Sequence, residues 1–416
     1  MRIVGTLILP GDKSISHRAL MLASISNQKS KLINLSTGKD VSSTISCLEN
    51  CGIEINKNGK DITIQGGTLR DPKNVLDCGN SGTTIRLLAG LLAGQGINAT
   101  LVGDKSLSKR PMRRIIEPLM KMGVKISSKN NFAPITIEQS KMNPINYYSP
   151  IASAQVKSCI LFAGMGVEGL TQINEPFQSR DHSEIMLKHL GASINVSKDG
   201  IRISKSEIQN PIDLTIPSDP STAAFFIAAS LMCEDSKLII NRLLLNETRI
   251  GFIKAVTQMG GNIKFLKTWV ESGEIVGNIQ VEYSQLKGIT IDENQVPSII
   301  DELPIFAILA TQAKGVTVVR GAKELRNKES DRIAAICKNL KLLGADIDEL
   351  DDGFKVGGSS KLRGVSLKTY DDHRIAMGFA VAELVADGDI NLDNPDCINI
   401  SFPEFFSTLE SITTVS

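Results

Sequence analysis

A chain of 416 residues exceeds the roughly 250–300 at which a single hydrophobic core stops growing, so two domains are expected. With 42% hydrophobic residues and a formal charge of +1, it reads as an ordinary globular protein without the basic excess common in nucleic-acid binders. Seven cysteines, an odd number without a CxxC pair, argue against a disulfide framework, so reduced thiols and a cytoplasmic location are expected.

The chain opens on a strand-like stretch, residues 2–9, whose apolar run Leu7-Ile8-Leu9 is broken by Pro10 and Gly11. That run is too short for a signal peptide or a membrane span. From there one pattern recurs six times: a small or acidic helix start followed by a helix apolar nearly all round. The copies begin near Ser14, Asn80, Ser153, Ser218, Asp301 and Asp371. Five carry a second helix ending in glycine, with isoleucine three residues later: Gly52/Ile55, Gly123/Ile126, Gly191/Ile194, Gly260/Ile263 and Gly344/Ile347. Glycine there suits the left-handed cap of a helix-to-strand turn. The sixth copy stops after the helix-like residues 403–412, and the simplest closure has the N-terminal strand completing that last unit. The expected division is residues 12–217 as one lobe and residues 1–11 plus 218–416 as the other, each with three βα units in an α/β fold.

Helix N-termini present free N–H groups and positive partial charge, so the helix starts are candidate anion sites. Gly11-Asp12-Lys13-Ser14-Ile15-Ser16-His17-Arg18 places a lysine, a hydroxyl and an arginine within about one and a half turns. Its Gly-Asp-Lys-Ser string recurs at Gly103, followed by Arg110-Pro111. The second start, Asn80-Ser81-Gly82-Thr83, offers hydroxyls and a glycine permitting close approach; the third offers Ser153 and Gln155. Asp301, before an apolar helix, is either an N-cap or a general base. In Arg326-Asn327-Lys328-Glu329-Ser330-Asp331-Arg332, Lys328 and Arg332 are four apart and are expected to share a face, beside Glu329. Arg374 opens the last buried helix, where an anion partner is expected. The sequence has no HExxH, no Cys/His cluster at metal spacing and no Walker A motif, so neither metal nor cofactor is expected. Cations around two carboxylates suit group transfer between phosphorylated metabolites by acid–base chemistry.

Eight ordered segments carry a resemblance over essentially the whole chain: GDKSISHRA at Gly11, GNSGTTIR at Gly79, Lys109-Arg110-Pro111, SAQVK at Ser153, SRDH at Ser179, IDELP at Ile300, RNKESDR at Arg326 and DDHRIAM at Asp371. Together they resemble the EPSP synthase family. The resemblance implies two lobes of three βαβαββ units, the inside-out α/β barrel architecture, and a reaction between shikimate 3-phosphate and phosphoenolpyruvate without metal or organic cofactor. It implies Asp301 as the base at the acceptor hydroxyl, Glu329 at the methylene proton, and Lys13 spanning both substrates. Shikimate 3-phosphate would meet Lys13, Ser14, Arg18, Ser153, Ala154, Gln155, Arg180, Asp301 and Lys328. Phosphoenolpyruvate would meet Lys13, Gly82, Arg110, Gln155, Arg332 and Arg374. A monomer without nucleic-acid or membrane partners is expected.

Four strings are similar to the class II branch often tolerant of glyphosate: residues 11–14, residues 153–157, Arg180-Asp181-His182-Ser183-Glu184 and Asn246-Glu247-Thr248-Arg249. Gly82 departs from those tolerant members that carry alanine there. Ile400-Ser401-Phe402-Pro403 lacks the lysine that many relatives place before Phe-Pro. The sister transferase acting on UDP-N-acetylglucosamine uses a loop cysteine, and residues 104–113 contain none. An RNA 3′-phosphate cyclase-like enzyme would need a nucleotide-binding site and a nucleylating histidine, the eight segments do not resemble it, and the near-zero net charge disfavours RNA. A binding protein without turnover is a further alternative, against which stands the presence of both carboxylates.

Overall fold

The computed structural model describes residues 1–414, which fall into two compact units. One comprises Gly11–Ile216 with Ser272–Glu274; the other comprises Met1–Pro10, Pro217–Glu271 and the chain from Ile275 onward. Both follow one construction rule. A strand lies parallel to a second that follows a buried helix, and another helix then leads into a hairpin that pairs antiparallel with that second strand.

In the Gly11–Ile216 unit, this gives three four-stranded sheets of identical order. The first runs Asp213–Thr215, Lys29–Ile33, Asp61–Gln65, Glu54–Asn58. The second runs Leu76–Asp77, Ala99–Val102, Phe132–Glu138, Lys125–Lys129. The third runs Asn146–Tyr148, Leu170–Asn174, Gly200–Ser204, Ile194–Ser197. In the other unit the same order appears as Thr290–Ile291, Val316–Val319, Gly353–Gly357, Ile347–Leu350. Among the described residues the last copy has only its parallel pair, Ser366–Leu367 with Asn391–Leu392.

The N-terminal strand corrects the expectation that it completes the sixth unit. Arg2–Leu7 lies parallel to Lys237–Leu244, with Val4 opposite Lys237 and Leu7 opposite Ile240, so it is the first strand of the fourth unit. Glu274–Glu282 and Asn262–Glu271 complete that sheet. The reason is that Asp213–Thr215, the strand just before the fourth unit in the chain, pairs with Lys29–Ile33 in the first. On its other edge Arg2-Ile3 pairs with Thr413-Thr414.

Two helices serve each unit: α1 (Lys13–Ser24) and α2 (Lys39–Asn50), α3 (Gly82–Gly94) and α4 (Arg113–Lys121), α5 (Ala154–Gly164) and α6 (His182–His189), α7 (Pro220–Met232) and α8 (Gly251–Gln258), α9 (Leu303–Thr311) and α10 (Arg332–Leu342), α11 (His373–Glu383) and α12 (Phe405–Ile412). The first of each pair is buried nearly all round, as its continuous apolar sequence requires. The second is amphipathic; α4 buries Ile115, Ile116 and Leu119 and leaves Met120 exposed. The glycines that end α2, α4, α6, α8 and α10 have φ between +79° and +96°, the left-handed turn that a Cβ would disfavour. Phe225 of α7 meets Phe405 of α12 edge-to-face at 5.7 Å, tying the first and last helices of their unit. All seven cysteines are free and buried. Among the described residues no helix is long and apolar enough to cross a membrane.

Candidate active site

In the Gly11–Ile216 unit, α1 begins where Asp12 accepts the Ile15 N–H at 2.8 Å, which frees the next side chains from capping duty. Lys13 Nζ donates to Asp40 Oδ2 at 2.9 Å, a partner 27 residues away that no local spacing announces. The Ser14 hydroxyl accepts from Arg180 at 3.2 Å. Arg18, one turn on, is 2% exposed and donates to the Ser14 carbonyl and to the Ser158 and Ser183 hydroxyls at 2.7–2.8 Å. It therefore stiffens the cluster from behind. The second Gly-Asp-Lys-Ser string opens no α-helix; Asp104 accepts the Ser106 and Leu107 N–H groups and shapes a turn.

Ser81 caps α3 by accepting the Thr84 N–H at 3.1 Å. Gly82 opens that helix against two guanidiniums, and a Cβ built there would lie 3.1 Å from Arg86 Nη1 and 3.5 Å from Arg110 Nη1. Arg110 donates to Asn80 Oδ1 at 2.7 Å, and Arg86 donates to Gln155 Oε1, whose amide in turn donates to Thr83 at 3.0 Å. Gly82, Arg110 and Gln155 thus come together around Arg86, a residue that sequence reasoning gave no role. Ser153 caps α5 with a long bond to the Val156 N–H, 3.5 Å, and Ala154 is the first helical residue. Behind them Lys157 is buried between Glu175 at 2.9 Å and Glu184 at 2.7 Å. Burial alone would lower its pKa, but the two carboxylates outweigh that and raise it, so the lysine stays charged. Glu175 also accepts the Ser153 N–H and the Ser179 hydroxyl, fixing the residues on either side of the cluster.

His17 is fully buried, with Nδ1 2.7 Å from the Thr44 hydroxyl. Burial, then Lys13 and Arg18, push its pKa well below 6.5, so the ring is neutral.

In the unit beginning at Pro217, Asp301 sits in the turn Ile300–Glu302, and no side chain caps α9. The N-cap reading of Asp301 is thereby overturned. Its Oδ1 instead accepts from Lys328 at 3.2 Å and faces Arg332 Nη1 at 3.5 Å, and its carbonyl accepts from Arg374 at 2.9 Å. Lys328 precedes α10 rather than riding on it, so the expected shared helix face is not what brings it beside Arg332. Their meeting point is the Asp301 carboxylate. Glu329 accepts from Arg332 Nη2 at 2.6 Å.

Arg332 is 1% exposed, and Asp372 accepts from its Nε at 2.8 Å. Burial favours losing the proton, but Asp372, Glu329 and Asp301 reverse this and raise the pKa. Burial likewise works to raise the Asp372 pKa, and Arg332 overcomes it, leaving the carboxyl below its ordinary value. Asp372 also caps α11, accepting the Arg374 N–H at 3.0 Å. Arg374 Nη1 lies 3.8 Å from Glu302 Oε1, so the anion expected at this helix start includes a carboxylate of the chain itself. Ser401 lies in the turn after Pro395–Ile400, its N–H bonded to the Ile398 carbonyl at 3.0 Å.

The geometry gives Asp301, Lys328, Glu329, Arg332 and Arg374 in one group, and Ser14, Arg18 and Arg180 in another. Sequence reasoning assigned no role to Asp40, Arg86, Glu302 or the Lys157 triad. Glu302 stands next to Asp301, and an acid at a helix start carries no further mark.

A family model described as EPSP synthase (3-phosphoshikimate 1-carboxyvinyltransferase) matches residues 1–409. A 3-phosphoshikimate 1-carboxyvinyltransferase of Koribacter versatilis is 43% identical, covering 99% of this chain and 97% of the relative. One from Thermodesulfovibrio yellowstonii is 45% identical, covering 98% and 97%. The structure of EPSP synthase from Acinetobacter baumannii superposes with a TM-score of 0.89 at 36% identity, covering 99% of this chain and 96% of that one. With a family match over nearly its entire length, the chain belongs to the EPSP synthase family.

Proposed function

We propose that the chain transfers the enolpyruvyl group of phosphoenolpyruvate to the 5-hydroxyl of shikimate 3-phosphate, releasing phosphate. This is the shikimate-pathway step towards chorismate and the aromatic amino acids. The observation that carries it is Asp301, whose carboxylate faces Lys328 and Arg332 and whose carbonyl accepts from Arg374, with Glu329 on the same Arg332. A base and a second carboxyl group within one cationic cluster suit both halves of the chemistry.

In the addition, Asp301 takes the hydroxyl proton while the oxygen bonds to C2 of phosphoenolpyruvate, and Glu329 delivers a proton to the methylene carbon. In the elimination, the C2–O bond to phosphate breaks, Asp301 returns its proton to the departing phosphate, and the new methyl group returns a proton to Glu329. Arg332 and Arg374 meet the phosphoenolpyruvate charges, and Lys328 the acceptor. The Gly11–Ile216 unit contributes Lys13 to both substrates. It gives Ser14, Arg18, Ser153, Ala154, Gln155 and Arg180 to shikimate 3-phosphate, and Gly82, Arg110 and Gln155 to phosphoenolpyruvate. No metal or cofactor enters this scheme. The chain acts as a cytoplasmic monomer.

Four sequence strings favour the class II branch and, with it, reduced sensitivity to glyphosate. Inhibition of turnover at the concentration that inhibits a sensitive relative removes that refinement. The assignment itself is tested by following phosphate release from purified protein with phosphoenolpyruvate and either shikimate 3-phosphate or UDP-N-acetylglucosamine. Release with the first acceptor alone is expected, and release with neither overturns it.

A further inference from the structure

Glu302 is a buried acid that the proposed reaction does not use. It is 3% exposed, and an uncompensated carboxylate at that depth is strongly unfavourable, so its contacts should explain it. Its Oε1 accepts from the Ser221 hydroxyl and faces Arg374 Nη1 at 3.8 Å. Ser221 is itself fixed from two sides: its N–H donates to Asp219, the cap of α7, at 2.8 Å, and its oxygen accepts from Arg249 at 2.9 Å. The same Arg249 nitrogen donates to Asp219 at 2.9 Å. At the far end the Nη1 that faces Glu302 donates to the Asp301 carbonyl at 2.9 Å, and Nη2 stands 4.0 Å from Asp301 Oδ2. A continuous relay therefore runs from Arg249 through Ser221 and Glu302 to Arg374 and Asp301, joining the starts of α7, α9 and α11.

We infer that Glu302, oriented by Ser221 and Arg249, is a positioning residue that aims the Arg374 guanidinium at phosphoenolpyruvate. This rests on the functional reading above. Arg374 has four side-chain torsions, and at the helix start its backbone N–H donates to Asp372. A buried carboxylate on one nitrogen and a carbonyl on the same nitrogen limit the rotation that would otherwise cost binding free energy on each turnover. Ser221 and Arg249 limit the rotation of Glu302 in the same way.

The test is a kinetic split. Glu302→Gln retains size and a hydrogen-bonding oxygen for Ser221 but removes the charge facing Arg374. The KM for phosphoenolpyruvate should rise about tenfold while the KM for shikimate 3-phosphate stays within about twofold. In an Arg374→Ala background the same change should have no further effect on the phosphoenolpyruvate KM, because the two residues act in series. Should Glu302→Gln fail to fold, Ser221→Ala, which removes one hydroxyl, should raise the same KM severalfold and no other. An unchanged phosphoenolpyruvate KM, an equal rise for both substrates, or an effect that persists undiminished without Arg374 would overturn the positioning role alone. A wild-type chain with no turnover would overturn both this role and the functional reading.

Discussion

Lys328 Nζ stands 3.2 Å from Asp301 Oδ1, although the two residues are 27 positions apart and neither lies on an α-helix. That pairing makes Asp301 an acceptor facing a cation rather than a helix cap. Asp301→Ala should lower kcat by about 10²–10⁴ while shikimate 3-phosphate still binds, since removal of a general base affects proton transfer more than ground-state affinity. Stopped-time turnover and calorimetric binding check this. Near-normal turnover would remove Asp301 from the base role.

The Arg332–Asp372 pair is fully desolvated, so its partners depend on one another. Asp372→Ala leaves Arg332 with one fewer compensating charge and uncaps α11; it should cost about 3–5 kcal/mol, read as a lowered urea midpoint. The Asp372 pKa is depressed in the folded state, so the stability this carboxylate adds is present above about pH 4, its ordinary titration range. It is lost as pH falls through the lower folded-state value, and the variant's acid denaturation should be flatter there.

Buried neutral His17 has the opposite chemistry but the same sign. Its unfolded form gains a proton near pH 6.5 and its folded form only well below that, so protonation favours unfolding. The contribution of His17 to stability should be constant above about pH 7 and fall by up to about 1.4 kcal/mol per unit as pH drops below about 6.5. Chemical denaturation of wild type and His17→Gln across pH 7.5 to 5.5, a window chosen about that ordinary value, checks this. The variant should lose the slope.

Gly82→Ala is expected to be tolerated by the fold, because the Cβ would press on the movable end of Arg86 and only touch that of Arg110, with no backbone in the way. Displacing Arg86, which holds Gln155, should raise the phosphoenolpyruvate KM severalfold with stability changed by less than about 1 kcal/mol. Steady-state kinetics with thermal unfolding separate the two effects.

The repeat was legible in sequence because the same backbone event, a left-handed turn from helix to strand, demands glycine each time, as at Gly52 and Gly344. Strand pairing between distant segments leaves no such mark. Nothing local says that Arg2–Leu7 joins Lys237–Leu244, or that Asp213–Thr215 returns to Lys29–Ile33. The cationic helix starts were visible as residue types, and Arg374 stands where charge among apolar residues hinted at a partner. Which anion each meets depends on tertiary contact. Arg332 takes Asp372, 40 residues on, and Lys13 takes Asp40. Glu302 shows the limit most plainly, since its burial against Ser221 and beside Arg374, and no local pattern, separates it from an ordinary helix-start acid.

The most direct measurement is mass spectrometry of the product formed from shikimate 3-phosphate and phosphoenolpyruvate by the wild-type chain and by Asp301→Ala. The account predicts a new species with the mass of the two substrates less phosphoric acid for wild type, and a yield lower by at least about a hundredfold for the variant. Absence of that species with the wild-type protein, or equal yields from both, would contradict it.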